Sequence, residues 1–182
     1  MGDEVQPGFA RTGEWFAWQH HFDAMGPIRP DVVTMAKALG NGVPIGAIWA
    51  KREVAEAFQP GDHATTYGGQ PLATSAARAV LRVMESIDAP ALARSAGEEL
   101  MGKLLTVPNV LDTRGLGLLI AAEVDTERVG MTGPEIALAC LKEGLVVNGI
   151  SPTAIRLAPP LTVSAEEIDE AIAKLSRVLG GR

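Results

Sequence analysis

One short stretch constrains this chain more than any other. The apolar, β-branched segment Val32-Val33-Thr34-Met35 runs directly into Ala36-Lys37-Ala38-Leu39-Gly40-Asn41-Gly42. The first four residues favour a strand, and the closely spaced glycines favour a tight turn after it. A lysine is thereby delivered to the end of a buried strand. Loss of hydration there favours the neutral amine, the form that condenses with an aldehyde cofactor. Pyridoxal phosphate is the obvious aldehyde. A lysine in a glycine-rich loop also suits a solvated surface residue or a phosphate contact, so the rest of the chain has to decide.

The surrounding pattern predicts α/β architecture. Val32 to Met35 and Ala47 to Ala50 read as short buried strands, and Pro71 to Ile87 carries Leu72, Ala76, Val80, Val83 and Ile87 at helical spacing. Alternating strand and helix point to a parallel sheet with ligands at the strand ends, where Asp3 and Lys37 would lie. Asp88-Ala89-Pro90 interrupts the helix, so the expected domains are residues 1–88 and a smaller 89–182. The second should hold a helix near Pro90 to Leu105, two strands across Val110 to Val124, and a helix opened by Thr132-Gly133-Pro134-Glu135. A final helix is clearest of all: Ser164 and Glu167 form a capping box, Ile168, Ile172, Leu175 and Leu179 line one face, and Gly180 ends it.

Composition narrows the function. With 182 residues, 47% hydrophobic and 21% charged, the chain can form one or two small domains with real cores. A net charge of -6 with no cluster of Lys or Arg argues against nucleic acid as a partner. No apolar run approaches a membrane span and no signal-type segment opens the sequence, so a cytoplasmic address is expected. Cys140 lies in Ala137-Leu138-Ala139-Cys140-Leu141, where a packed free thiol is the natural reading. His20, His21 and Asp23 do not make a metal site: adjacent histidines on a helix face apart, and no spaced carboxylate or thiol completes a shell.

Five segments, in order, carry a family resemblance. Asp3-Glu4-Val5-Gln6 is followed by Gly8, Arg11-Thr12-Gly13 and Trp15-Phe16-Ala17. Next come Pro30-Asp31-Val32-Val33 with Ala36-Lys37 and Pro44-Ile45-Gly46-Ala47, then His63-Ala64-Thr65-Thr66-Tyr67-Gly68-Gly69-Gln70-Pro71-Leu72-Ala73. Arg114-Gly115-Leu116-Gly117-Leu118 and Ile155-Arg156-Leu157-Ala158-Pro159-Pro160-Leu161 complete the order. Together they resemble the class III (fold type I) aminotransferases, with acetylornithine aminotransferases the nearest group. The implied fold is the C-terminal part of the large parallel-sheet, cofactor-binding domain followed by an α+β small C-terminal domain.

The resemblance also implies roles. Asp3 would contact the pyridine nitrogen of pyridoxal 5'-phosphate, keeping it protonated as an electron sink. Gln6 would touch the ring edge or phenolic oxygen. Lys37 would be the Schiff-base lysine and the proton shuttle. Thr65 and Thr66, beside Gly68-Gly69, would donate to the phosphate held by the neighbouring subunit, which implies a homodimer. Arg156 would grip a substrate carboxylate with its guanidinium fork, and Arg114 suits a structural place at a turn. The implied reaction is ping-pong amino transfer between N-acetylornithine and 2-oxoglutarate in arginine biosynthesis. Ornithine, succinyl-ornithine, another ω-amino acid or a diamine are alternative donors, and a non-catalytic dimerisation module is an alternative of another class.

The resemblance begins at Asp3, where a typical family chain is already half complete. A C-terminal fragment, a truncated product or one piece of a split protein is therefore expected, binding the cofactor poorly by itself. Two positions depart from the family pattern. Pro7 stands where a small polar residue is usual, and Asn41 where glycine is common.

Overall fold

The β-branched run does form a strand, and it sits at the centre of a small sheet. The computed structural model describes residues 1–180, which divide into two compact units, Met1–Pro90 and Ala91 onward. The first contains β1 (Gly2–Asp3), a two-stranded ribbon of β2 (Phe22–Asp23) and β3 (Gly26–Pro27), β4 (Val32–Met35), β5 (Ala47–Ala50), the single-turn α1 (Arg52–Ala55) and α2 (Pro71–Ser86). Strand order is β1-β4-β5. β1 runs parallel to β4 with Asp3 opposite Thr34. β5 runs antiparallel, with Val33 opposite Trp49 and Met35 opposite Ala47.

The sheet is thus mixed where a parallel one was expected. Residues 36–46 between β4 and β5 hold a 3-10 turn, Lys37–Leu39, and glycine turns instead of a crossover helix. A connection of that kind returns the chain antiparallel. Nor is β5 buried as expected: it forms an edge of the sheet, and Trp49 is 50% exposed. Helix α2 starts at Pro71, behind an extended Gln70. Its buried residues are Ala73, Ala77 and Met84, while Leu72 is 74% exposed. The stripe anticipated from Leu72 and Val83 is therefore rotated outward. Small alanines let the helix lie against the 37–39 turn, and that closeness decides which face turns in.

Asp88, at φ 47°, makes the sharp turn between α2 and α3 (Ala89–Leu104). The second unit continues with β6 (Val110–Leu116), β7 (Leu119–Val124), the short α4 (Thr126–Val129), α5 (Gly133–Lys142), β8 (Asn148–Gly149), β9 (Ala154–Leu157) and α6 (Ala165–Leu179). The sheet is antiparallel throughout, ordered β6-β7-β9-β8. Its helix-facing side chains, Ile120, Ala122, Val124, Ile155 and Leu157, form one core with Leu100, Leu104, Ile136, Ile168, Leu175 and Leu179. Close approach is set by glycine where helix meets hairpin: a Cβ on Gly97 of α3 would lie 2.1 Å from the Gly117 carbonyl oxygen.

The helix boundaries follow their caps. Ser164 Oγ accepts from the Glu167 N–H (3.2 Å), and Glu167 Oε2 accepts from the Ser164 N–H (2.8 Å), a reciprocal box. At α5 the Glu135 Oε2 takes both the Thr132 N–H and its hydroxyl, each at 2.7 Å. Those bonds to Thr132 hold the Glu135 carboxyl below its ordinary range. Cys140 is fully buried and free, and burial pushes its thiol up to about 11. Among the described residues, no helix is long and apolar enough to cross a membrane.

Candidate active site

Three of the residues singled out from sequence converge at the carboxyl ends of the parallel pair β1 and β4. Asp3 is the last residue of β1. Its Oδ1 accepts from the Val5 N–H (3.0 Å) and lies 3.4 Å from the Thr34 hydroxyl. Two residues past β4, Lys37 opens the 3-10 turn, and its Nζ donates to Gln6 Oε1 at 3.3 Å. Carboxyl ends of parallel strands are where α/β sheets present ligand sites. An acid, an amide and an amine meet there, all reachable from solvent.

The backbone at Lys37 is unusual. Lys37 has φ 44°, in the left-handed region that costs a residue with a Cβ about 1 kcal/mol or more. Asn41 also has φ 44°, which explains both why glycine suits that position and why asparagine is accepted, since asparagine tolerates this conformation. Gly40 has no such latitude, because a Cβ there would lie 2.2 Å from the Val43 carbonyl oxygen. The turn that presents Lys37 is thus shaped by Gly40 at its base. The burial expected of Lys37 is not supplied by these residues: the side chain is exposed. A strand end is dry only where neighbouring structure covers it, and here the ammonium stands beyond β4.

Gln6 does not share a strand with Asp3. β1 ends at Asp3, and residues 5–10 are turns in which Phe9 (φ 54°) and Ala10 (φ 68°) both adopt left-handed conformations. The turn carries the amide to the lysine. Thr65 and Thr66 lie in an exposed loop, where Thr65 Oγ1 accepts from the Gly68 N–H at 3.1 Å. The threonine and glycine thus shape one another's turn, since a Cβ on Gly68 would be 2.3 Å from Thr65 Cγ2.

Arg156 belongs to the second unit, on the middle residue pair of β9, opposite Ala121 of β7 and Asn148 of β8. Its neighbours Ile155 and Leu157 point into the core, so the arginine points to the other face. One terminal nitrogen lies 3.4 Å from Asn148 Oδ1, while the buried Nε has no hydrogen-bond partner. An unsatisfied guanidinium N–H in a half-buried setting is suited to an anion. Arg114, by contrast, is engaged at the surface: its guanidinium reaches Glu123 Oε2 at 3.0 Å across β6 and β7. Hydrogen bonds from Thr153 and then from Arg114 hold the Glu123 carboxyl below its ordinary range. His20 Nε2 lies 3.0 Å from the Thr12 carbonyl oxygen and His21 is exposed. Among the described residues no group of three or more potential metal ligands comes together.

Residues 1–179 match the family described as aminotransferase class-III. The chain belongs to that family. An acetylornithine aminotransferase of Corynebacterium efficiens is 43% identical over 177 residues, which is 97% of this chain and 42% of that one. Among solved structures, the acetylornithine aminotransferase of Elizabethkingia anophelis superposes with a TM-score of 0.80 at 28% identity, over 97% of this chain and 46% of that one. An ornithine aminotransferase of Toxoplasma gondii, whose active site holds pyridoxal phosphate at partial occupancy, gives a TM-score of 0.83 at 30% identity, over 97% of this chain and 41% of that one. The chain spans less than half the length of the curated relatives it matches. Asp3, Gln6 and Lys37 lie together where β1 and β4 end.

One participant had no sequence signal of its own. Glu4, between Asp3 and Gln6, is buried, and its carboxylate receives the backbone N–H groups of Ala17 and Trp18. An acid within a segment of polar residues looks solvent-exposed, and only the fold shows otherwise.

Proposed function

We propose that this chain supplies the lysine-bearing part of a pyridoxal-phosphate aminotransferase that moves an amino group from N-acetylornithine to 2-oxoglutarate. The observation that carries the reading is the contact of Lys37 Nζ with Gln6 Oε1 at 3.3 Å, beside Asp3 at the carboxyl end of β1. The donor set fits the cofactor. A carboxylate suits a protonated ring nitrogen, an amide suits a ring oxygen, and a solvent-reachable amine suits the aldehyde. Bound there, pyridoxal phosphate supplies an electron sink for the charge left when the carbon bearing the amine loses its proton.

The chain's own residues do the rest. Asp3 holds positive charge at the ring nitrogen. Lys37 Nζ takes the proton from the amine-bearing carbon and returns it on the far side of the transfer, with Gln6 fixing the amine between the two. Arg156, with an unpartnered Nε, receives a carboxylate of the acceptor. Thr65 and Thr66 serve the phosphate of a second subunit, so the active assembly is a homodimer, working in the cytoplasm. Acetylornithine as donor is favoured by curated relatives at 40–44% identity that are acetylornithine aminotransferases, those of Corynebacterium efficiens, Gloeobacter violaceus and Bacillus subtilis among them.

The test is a pair of measurements on the chain supplied with the N-terminal half of a relative. Glutamate formation from N-acetylornithine and 2-oxoglutarate is followed, together with borohydride fixation of the cofactor. Lys37→Ala is expected to abolish both. Turnover that survives the substitution, or fixation that continues undiminished, would remove Lys37 from the chemistry.

A further inference from the structure

We infer that Glu4 is the positioning residue of this site, a buried latch that sets Asp3 and Gln6 in place around Lys37. The inference rests on the reading of Lys37 as the pyridoxal-phosphate lysine and adds a residue that this reading does not contain. Glu4 is 2% exposed. A buried carboxylate persists only where hydrogen bonds replace the water it has lost. Here Oε2 accepts from the Ala17 N–H and Oε1 from the Trp18 N–H, both at 2.9 Å. These are the first two amides of the 3-10 turn Ala17–His20, which have no partner within the turn itself.

The backbone of Glu4 is fastened as firmly as its side chain. Its N–H donates to the Thr34 carbonyl oxygen (2.9 Å), which extends the pairing of β1 with β4 by one residue. Its carbonyl oxygen accepts from the Gly8 N–H at 3.2 Å. Gly8 must be glycine for this turn to close over Glu4, since a Cβ there would lie 2.6 Å from the Glu4 carbonyl oxygen. One residue therefore ties the end of β1 to the end of β4, to the following turn and to the 17–20 turn. A two-residue strand cannot hold its own register, so the latch does.

Its neighbours are the residues that face the chemistry. Asp3, one position before, reaches the Thr34 hydroxyl, and Gln6, two positions after, accepts from Lys37 Nζ. With Glu4 turned inward and anchored at four atoms, the exposed Asp3 and the Gln6 amide are held at fixed offsets from it. In Glu4→Gln the shape is kept, but the new NH2 group faces one of two backbone N–H donors that then has no acceptor. The expected consequence is a loosened Asp3 to Gln6 segment in a chain that still folds.

The experiment uses the chain as it is. It is incubated with pyridoxal phosphate, reduced with borohydride, and the modified lysines are mapped by peptide mass spectrometry. Lys51, Lys103, Lys142 and Lys174 serve as internal standards for Lys37. The unsubstituted chain is expected to label preferentially at Lys37, and Glu4→Gln to lower that preference roughly fivefold, the size of one lost hydrogen bond. Met84→Ala, which loosens the first unit through the buried face of α2, is expected to lower the melting temperature and leave the preference unchanged. Equal preference in Glu4→Gln and the unsubstituted chain would overturn the latch and leave Lys37 standing. An equal loss in Met84→Ala would also overturn it, since general loosening would then explain both. No preference in the unsubstituted chain would overturn the reading of Lys37 and the latch with it.

Discussion

In the second unit, β7 alternates so that Ile120, Ala122 and Val124 are all buried against helices of the same unit; in the first, β5 leaves Ile48 and Trp49 at least half exposed. The contrast extends through both. The second unit gathers Leu100, Leu104, Ile136, Ile168, Leu175 and Leu179 into one contiguous cluster. In the first unit the buried apolar residues are fewer and smaller, among them Ala73 and Ala77, while Phe22, Met25, Phe58 and Leu72 face solvent. A crevice of about 830 Å³ lined by Phe16, Trp18, Phe22, Val33, Met35 and Trp49 opens beside its sheet. Apolar area removed from water stabilises a fold at roughly 25 cal/mol per Å². The unit that bears Lys37 therefore has the smaller apolar core, and the unit that bears Arg156 the larger.

The largest effect should come from separating them. Residues 91–182 alone are expected to melt cooperatively, whereas residues 1–90 alone are expected to show no cooperative transition and to bind a hydrophobic dye. Calorimetry and dye fluorescence check this, and a sharp transition in residues 1–90 would break the contrast. Within the second unit, Leu175→Ala removes a fully buried side chain and should cost about 2–5 kcal/mol by denaturant unfolding. A cost under about 1 kcal/mol would mean that this core is not the source of its stability.

A smaller effect sharpens the contrast through pH. Burial raises the Cys140 thiol from 9.0 to about 11. A group whose folded value is raised stabilises fully below the unfolded value and loses that contribution as pH climbs through the folded one. The second unit should therefore lose roughly 2 to 3 kcal/mol between about pH 9 and pH 11, because each tenfold change in proton affinity between folded and unfolded thiol corresponds to about 1.4 kcal/mol. Cys140→Ala should flatten that limb of the stability profile. An unchanged limb would assign the alkaline loss to other groups.

Much of this molecule can be read from its residues in order. Local signals give the helices their ends: Ser164 with Glu167 caps α6, Pro71 opens α2, and Asp88 turns the chain into α3. Helical periodicity names the inner face of α6, where Ile168, Leu175 and Leu179 are buried. The segment order names the family and its candidate residues, because glycines and reactive side chains at fixed spacing leave a pattern that needs no coordinates. Lys37 is such a residue, followed at once by its glycine turn.

What only the tertiary structure decides is who meets whom and what is covered. Asp3 and Gln6 are near neighbours in sequence, yet it is the turn over residues 5–10, not a strand, that sets the amide against Lys37. Apolar spacing in α2 points to Leu72, but packing of small alanines against the 37–39 turn rotates that residue into solvent. Asn148 becomes the neighbour of Arg156 only through the pairing of β8 with β9. Glu4 reads as one more surface acid until the amides of Ala17 and Trp18 are found pointing at it. The physical reason is common to all four. Propensity and periodicity act over a turn or two of chain, whereas burial and hydrogen-bond partners are set by residues far along it, through contacts that exist only once the chain has closed.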